Sequence, residues 1–554
     1  MGHGHHHHHE HHESDNSADL QVADADLDAG ELSRRSLMRR AGLLSAAAVA
    51  TSSVTTSPAL AHTGREPRHG YQWLAGDHHI HTQYSSDGYY RVIDHVRHAS
   101  AYGLDWMVIT DHGGAQHAKI GVEKVNPDIV AARADFKDML VFQGLEWNIP
   151  SAEHATVFVH PGRDEVAVLK EFENAYDGSV KNASGSSPAN EALAVAAIQW
   201  LGQAVRRRRI PDALFFANHP ARRGVDSPHE IRAWRDADPS VAAGFEGAPG
   251  HQAAGLKAPI GPGSGRGFYS GAPSADSFPA YPAESYRTWG GFDWMTAMVG
   301  GLWDSLLAEG KPWMITANSD AHQVYLDTAA HAPGTDFDRD GFHLDPVYGT
   351  GAVPTAGDFW PGYYSRTHVG AEDFSYAAVM RGLRAGRVWV DHGHLIDGID
   401  VRVRESRSRD RGVTLGETLN IRKGTRVELA IEVDLASNPN WAQFVPVLSR
   451  VDVIQGDITG PAADRDVFTT PNTRVVQSYE VPANAKGTVT FTYQLGAVDR
   501  PVYLRIRGTD GKRSQAGVLG AGVDPHGPAI DVVGDADPWT DLWFYTNPLW
   551  IRTR

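Results

Sequence analysis

Residues 77–82 read Asp77-His78-His79-Ile80-His81-Thr82, with Asp87 just beyond. In an extended strand alternate side chains leave the same face, so His79 and His81 project together and can grip one cation. A lone His-x-His is weak evidence, because alternate strand residues also share a face for packing. Four further fragments follow in order: Ile109-Thr110-Asp111-His112, Gly144-Leu145-Glu146-Trp147, Ala217-Asn218-His219-Pro220 and Asn318-Ser319-Asp320-Ala321-His322. Helix-sized stretches separate them, each lies where a short apolar run ends, and Asp320 and His322 repeat the alternate spacing. Imidazole nitrogen with carboxylate oxygen suits zinc, manganese or iron, and a chain without cysteine offers no competing thiolate. Five such fragments point to a multinuclear metal site and a metallohydrolase.

Outward from these fragments, strands are expected at 106–110, 140–145, 213–217, 242–245 and 313–317, with helical stretches such as 90–102 and 292–308 before several of them. Alternation of this kind implies an α/β fold with a parallel sheet or a barrel. The polar residues fall at strand ends, where (β/α) barrels place their chemistry. Two long inserts, 247–288 and 323–372, interrupt the pattern and are expected to be lids or substrate walls. From about 398 the texture becomes alternating β-prone runs, at 401–403, 426–433, 451–454, 488–493 and 502–507, which reads as a β-sandwich accessory domain over 398–554. The aromatic segment 541–551 is expected to pack the end of the chain back onto the first domain.

The first 61 residues read as an address. Residues 1–32 form a His-rich and then acidic leader, expected to be disordered; metal capture, a tag or a plain leader all account for its histidines. Ser33-Arg34-Arg35-Ser36-Leu37-Met38-Arg39, the apolar run 41–54 and Ala59-Leu60-Ala61 have the form of a twin-arginine signal with its cleavage site, over 33–61. The run is too short for a spanning helix, so no stable membrane insertion is expected. The reading is a secreted or extracytoplasmic protein with the twin-arginine translocase as an export partner. Without disulfides it must rely on its core. The net charge of −16 disfavours nucleic acid as a partner. The basic run Arg206-Arg207-Arg208-Arg209 reads as a helix end, where cations complement the dipole.

On the five fragments, and on the run from 378 to 390 (AVMRGLRAGRVWV), the chain resembles the polymerase-and-histidinol-phosphatase (PHP) family of metal-dependent phosphoesterases. The resemblance covers roughly 71–395 and implies a distorted (β/α)7 barrel, placed over 71–397, with two to three divalent metals at its mouth. It implies that His79, His81, Glu146 and Asp320 hold one ion. Glu146 would bridge to a second ion held with His154 and His219, and Asp87, His112 and His322 would hold the third. Many relatives have histidine where this chain has Asp87. A glutamate can bridge two ions about 3.5–4 Å apart, and such ions lower the pKa of a shared water, so attack by a metal-bridging hydroxide is implied. Glu146 is thereby the residue on which catalysis most depends.

Other polar residues have two readings each. Asp77 and Asp111 orient imidazoles or complete strand-end hydrogen bonds. Arg222, with Arg223, neutralises a phosphate or forms a surface salt bridge. His117 and Lys119 protonate a leaving group or are solvated loop residues. Asp336-x-Asp338-x-Asp340-Gly341 imitates the start of a calcium loop, but Val347 stands where such loops carry Glu.

The first functional reading is a secreted phosphoesterase acting on phosphomonoester or phosphodiester bonds of a small molecule or a surface polymer. The second keeps the metals: the chain also resembles the carbaryl-hydrolase-like branch, which cleaves carbamate or carboxylic esters, and aromatics such as Trp147 and those of the long inserts either suit an aryl substrate or belong to the core. The third is a non-catalytic surface binding protein.

Overall fold

The computed structural model describes residues 70–269 and 271–554; the expected leader (1–32) and signal segment (33–61) lie outside the described residues. The first strands are β1 (Gln72–Asp77), β2 (Trp106–Ile109), β3 (Leu140–Asn148), β4 (His154–Val159), β5 (Ala213–Ala217), β6 (Ala242–Ala248), β7 (Met314–Ala317), β8 (Ser365–Ala371) and β9 (Val388–His392). Their order across the sheet is β9-β8-β1-β2-β3-β4-β5-β6-β7. β1, β2 and β3 are parallel, as are β5, β6 and β7, whereas β4 is antiparallel to both β3 and β5. Beyond the strands the segments that follow β1 and β7 meet. Ile80 and Ala321 form a parallel bridge, His81 N donates to Ala321 O (3.1 Å), and Asp320 N donates to His79 O (2.9 Å).

The five expected strands are present, but two others differ from the sequence reading. β4 follows β3 through residues 149–153, a turn too short for a crossover helix, so a strict strand-helix pattern passes over it. β8 lies within the stretch read as an irregular insert; its place is set by antiparallel pairing along the free edge of β1, Gln72 opposite Ala371, rather than by a local period. The expected helix over 292–308 is two short ones, Trp294–Ala297 and Leu302–Ala308. Gly300 between them has φ +76°, outside the right-handed helical region. The helix Pro188–Arg206 shows the ordinary logic: Ser187 caps it by accepting from Asn190 N, Pro188 opens it, and Ala194, Ala197, Ile198 and Leu201 bury one face. Among the described residues no helix is long and apolar enough to cross a membrane.

The strand-rich region comprises β10 (Ile396–Glu405), β11 (Thr418–Ile421), β12 (Thr425–Leu435), β13 (Arg450–Asp457), β14 (Thr473–Glu480), β15 (Thr488–Val498), β16 (Val502–Thr509), β17 (Trp543–Thr546) and β18 (Leu549–Thr553). β10, β12 and β15 form a separate three-stranded sheet. Along β12, Val427, Leu429, Ile431 and Val433 are buried and the residues between them are more exposed, the period of two expected of a one-sided sheet. These side chains share one core with Val451, Val453, Leu504 and Ile506 of β13 and β16. The second sheet is continuous with the first, because β17 pairs with both β16 and β9. The aromatic end of the chain is therefore a strand of the main sheet. Asp304 of the helix Leu302–Ala308 adds a buried bond between the two regions, accepting from Arg505 Nε (2.9 Å) and Nη2 (2.7 Å) and from Tyr503 OH (3.0 Å).

Candidate metal centre

The end of β1 is fixed by Asp77, whose carboxylate accepts from His79 N (3.0 Å) and Ser319 N (2.9 Å). That tie holds residues 78–81 extended between the ends of β2 and β7. Ile80 faces the core, and His79 and His81 face the opposite side together. His79 Nε2 lies 3.1 Å from both Glu146 Oε1 and Asp320 Oδ1. His81 Nε2 lies 3.1 Å from Asp320 Oδ1 and 3.4 Å from Glu146 Oε2. From the other strand ends, His112 Nδ1 approaches Glu146 Oε2 (2.7 Å), while His154 Nδ1 (3.1 Å) and His219 Nε2 (3.2 Å) approach Oε1. Glu146 thus lies at the centre of five imidazoles. His322 joins at the edge, its Nε2 3.3 Å from His112 Nε2.

Three of these atoms, His81 Nε2, Glu146 Oε2 and Asp320 Oδ1, are buried and, close as they lie to one another, are aligned for no hydrogen bond among the described residues. Unpaired buried polar atoms are costly, and lone pairs converging on one another are favourable only with a cation among them. The donor set therefore fits divalent metal. Among the described residues, groups able to hold an ion are His79 with His81 and Asp320, His81 with His112 and His322, His112 with Glu146 and His154, Glu153 with His154 and His219, and His251 with His322 and Asp358. Burial works against ionisation of Glu146, yet the imidazoles of His154, His79 and His112 hold its carboxyl well below the usual range. Burial, then the neighbouring rings of His322 and His112, keeps His81 well below an ordinary imidazole and so neutral. Asp320 and His219 have φ of +48° and +30°, the left-handed region that non-glycine residues enter at a cost and that clusters at functional sites.

The structure brings eight of the nine expected ligands together. Asp87 stays at the rim, 56% exposed and 3.5 Å from both His112 and His322. Arg222 lies on the Glu153 side of the cluster, 3.8 Å from Glu153 Oε2 and within the field of Asp320 and Glu146. His117 is not brought there. It opens the helix His117–Asp135, where its ring is buried and its Nδ1 is 2.8 Å from Glu173 Oε1, so it is neither a solvated loop residue nor within reach of the cluster. Trp147 is also core: fully buried, it donates from Nε1 to Tyr176 O and packs edge-on against Phe172 and Phe215. Of its two expected roles, Trp147 has the core one and does not face a substrate. The acidic run at 336–341 is taken up locally: Asp336 caps the short helix Phe337–Asp340, and Arg339 bonds Asp340.

Several residues of the centre escaped the sequence reading. Glu246 of β6 bonds His79 Nδ1 (2.6 Å) and accepts from His219 N (2.7 Å), fixing the tautomer and aim of a candidate ligand. Asn218 donates to Glu146 Oε1 (3.0 Å). His251 lies between Asp358 and Asp320, its Nε2 2.8 Å from Asp320 Oδ2, and Asp358 also accepts from His322 N (2.6 Å). Burial opposes charge on His251, but the two carboxylates raise it to about 10. Gly250 lets this loop lie flat on β7's end, where a Cβ would come 2.1 Å from Asp320 Cβ. Asp111 reaches His81 through Ser85, whose Oγ is 2.9 Å from His81 Nδ1 and 3.1 Å from Asp111 Oδ1.

Histidines and carboxylates in this order, spread over strand ends on a mixed sheet, can be compared with known families. Residues 77–190 match the PHP domain. The matched stretch of the PHP domain contains His79, His81, Asp87, His112, Glu146 and His154, while His219, Asp320 and His322 lie beyond it. No curated protein matches the chain. Among solved structures, a two-domain protein from Bacteroides vulgatus containing a predicted PHP-like metal-dependent phosphoesterase shares 15% identity, with 80% of this chain and 92% of that one covered at a TM-score of 0.31. A chitin binding domain from Burkholderia pseudomallei shares 11% identity over 27% of this chain and 66% of that one, at a TM-score of 0.14. Neither likeness is close enough to carry an argument; the PHP match and the geometry are what bear on function.

Proposed function

We propose that the protein is a metal-dependent phosphoesterase with a distorted PHP-type barrel over 71–397 and a β-sandwich accessory region over 398–554. The observation that carries this reading is the convergence of His81 Nε2, Glu146 Oε2 and Asp320 Oδ1, buried and without an aligned hydrogen bond, at the strand ends. Two to three divalent cations bound there would acidify water and offset charge on a phosphoryl group. The chain's own residues supply the rest. Glu146 is anchored by Asn218, His79 is aimed by Glu246, and Asp320 is held by His251. Arg222 beside Glu153 supplies a fork for a phosphate oxygen.

Purified protein should contain two to three transition-metal ions per chain by elemental analysis. Chelation should abolish hydrolysis of phosphate esters, and added zinc, manganese or iron should restore it. Full activity in protein stripped of metal would overturn the reading.

Export is part of the same proposal. Arg34→Lys with Arg35→Lys should leave precursor in the cytoplasm, as cell fractionation would show; unchanged secretion of the double variant would refute a twin-arginine route.

A further inference from the structure

A cleft of about 490 Å³ opens beside His154. That volume lies within the ~300–1,000 Å³ range of small-molecule sites. Its walls come from the β3–β4 turn, from the loop after the short helix Gly178–Lys181, and from the chain around Arg223 and Asp276. The lining is unusual for such a site: Ser151, Ser179, Asn182 and Ser184 supply hydroxyl and amide groups, and no phenylalanine, tyrosine or tryptophan is among the lining residues. Among the lining residues Glu153 is 1% exposed, its Oε1 has no hydrogen-bond partner among the described residues, and it is grouped with His154 and His219 on the side of the metal cluster. The nearest cation to that oxygen, Arg223 Nε, is 3.5 Å away, and Arg223 is itself 62% exposed.

An ester positioned on the metal centre must place its alcohol portion to one side. His154 is shared by the metal cluster and the cleft, so the cleft is where that portion would extend. Apolar or aryl groups would gain little there, because hydroxyl and amide groups would be stripped of water without replacement. A ligand rich in hydroxyls replaces each lost bond: it donates to Glu153 and Asp276, accepts from Arg223, and does both with the serines and Asn182. Resting on the phosphoesterase reading above, we infer that this cleft binds the hydroxyl-rich alcohol portion of the ester, a sugar or another polyol. The reaction would then release that polyol and phosphate with the addition of one water.

The test uses metal-loaded full-length protein and two kinds of measurement. In the first, kcat/KM is compared for a hexose phosphate, glycerol phosphate and p-nitrophenyl phosphate. The polyol esters are expected to be preferred, and Ser184→Trp, which fills the cleft, should lower the polyol-to-aryl ratio by about tenfold or more, mainly through KM. Asp276→Trp fills it from another wall and guards against a folding defect in the first variant. In the second, calorimetry compares a hexose phosphonate, whose C–P bond is not hydrolysed, with phenylphosphonate. Tighter binding of the hexose compound, lost in both variants, is expected. Preference for the aryl compounds, or a ratio that neither variant moves, would overturn the inference and leave a phosphoesterase in place. If no phosphate ester of any kind is hydrolysed, the functional reading fails on its own, and calorimetry still decides whether the cleft selects polyols.

Discussion

Glu146→Gln is expected to lose at least one bound ion and about a thousandfold or more in turnover, while remaining folded. Glutamine keeps the size and one carbonyl oxygen but removes the negative charge that lets cations lie close together. Five imidazoles surround that carboxylate, and its neighbours Asp320 and Asp87 cannot substitute for it: Asp320 is occupied with His79, His81 and His251, and Asp87 is at the solvent edge. A bland alternative gives Glu146 only a part in finishing β3. The backbone argues against that, because Glu146 N donates to Asp111 O (3.0 Å) and Glu146 O accepts from Gly113 N (2.8 Å) whatever the side chain is. The measurement is metal content and catalytic rate on the same folded sample, with circular dichroism to verify the fold. Near-normal values of both would sink the mechanism.

The parts of this centre legible in the sequence are those that obey strand arithmetic. His79 and His81, or Asp320 and His322, are separated by one residue on an extended chain, and that spacing alone puts them on one face. Glu146 and His219 announced themselves by following apolar runs of strand length. Glu246 follows such a run in the same way, at the end of β6, and the same rule applied once more would have found it. His154 could be named only by resemblance, since the hairpin that places it has no crossover and leaves no periodic mark. His251 and Asp358 were beyond reach for a different reason. They lie in irregular segments whose course is set by distant contacts, such as Gly250 against Asp320, and no local pattern encodes those. His117 shows the converse failure: proximity to His112 in sequence suggested proximity in space, but the helix it opens turns its ring toward Glu173. The C-terminal strands were legible because one-sided burial imposes a period of two. Their fusion with the first sheet through β17 was not, since sheet partners separated by some 150 residues leave no trace in either strand alone.

The largest structural effect is expected from Asp304→Asn, which should destabilise the protein by about 3–5 kcal/mol. Asp304 and Arg505 are both fully buried and meet through two nearly parallel bonds, with the guanidinium also 4.6 Å from the centroid of the Trp303 ring. Two charges withdrawn from water are tolerable only as a pair. Neutralising one leaves the Arg505 cation without a counter-charge, and it also weakens the bonds from Tyr503 OH and Gly300 N that the carboxylate accepts. The damage should spread, because Asp304 belongs to a helix whose Leu302, Trp303, Leu306 and Leu307 share the first region's core, whereas Arg505 and Tyr503 belong to β16 of the strand-rich region. Denaturant unfolding followed by tryptophan fluorescence and by far-ultraviolet dichroism would measure it, and the two signals should separate if the regions lose their coupling. Asp304→Leu combined with Arg505→Met removes both charges and should recover part of the loss, as apolar replacements of buried pairs often do. Metal content per folded molecule should be unchanged in each variant, since no candidate ligand touches the pair. A single variant within about 1 kcal/mol of the parent would mean that this bond is solvated in practice and that the two regions are held together by the β9–β17 ladder and their shared apolar surface instead.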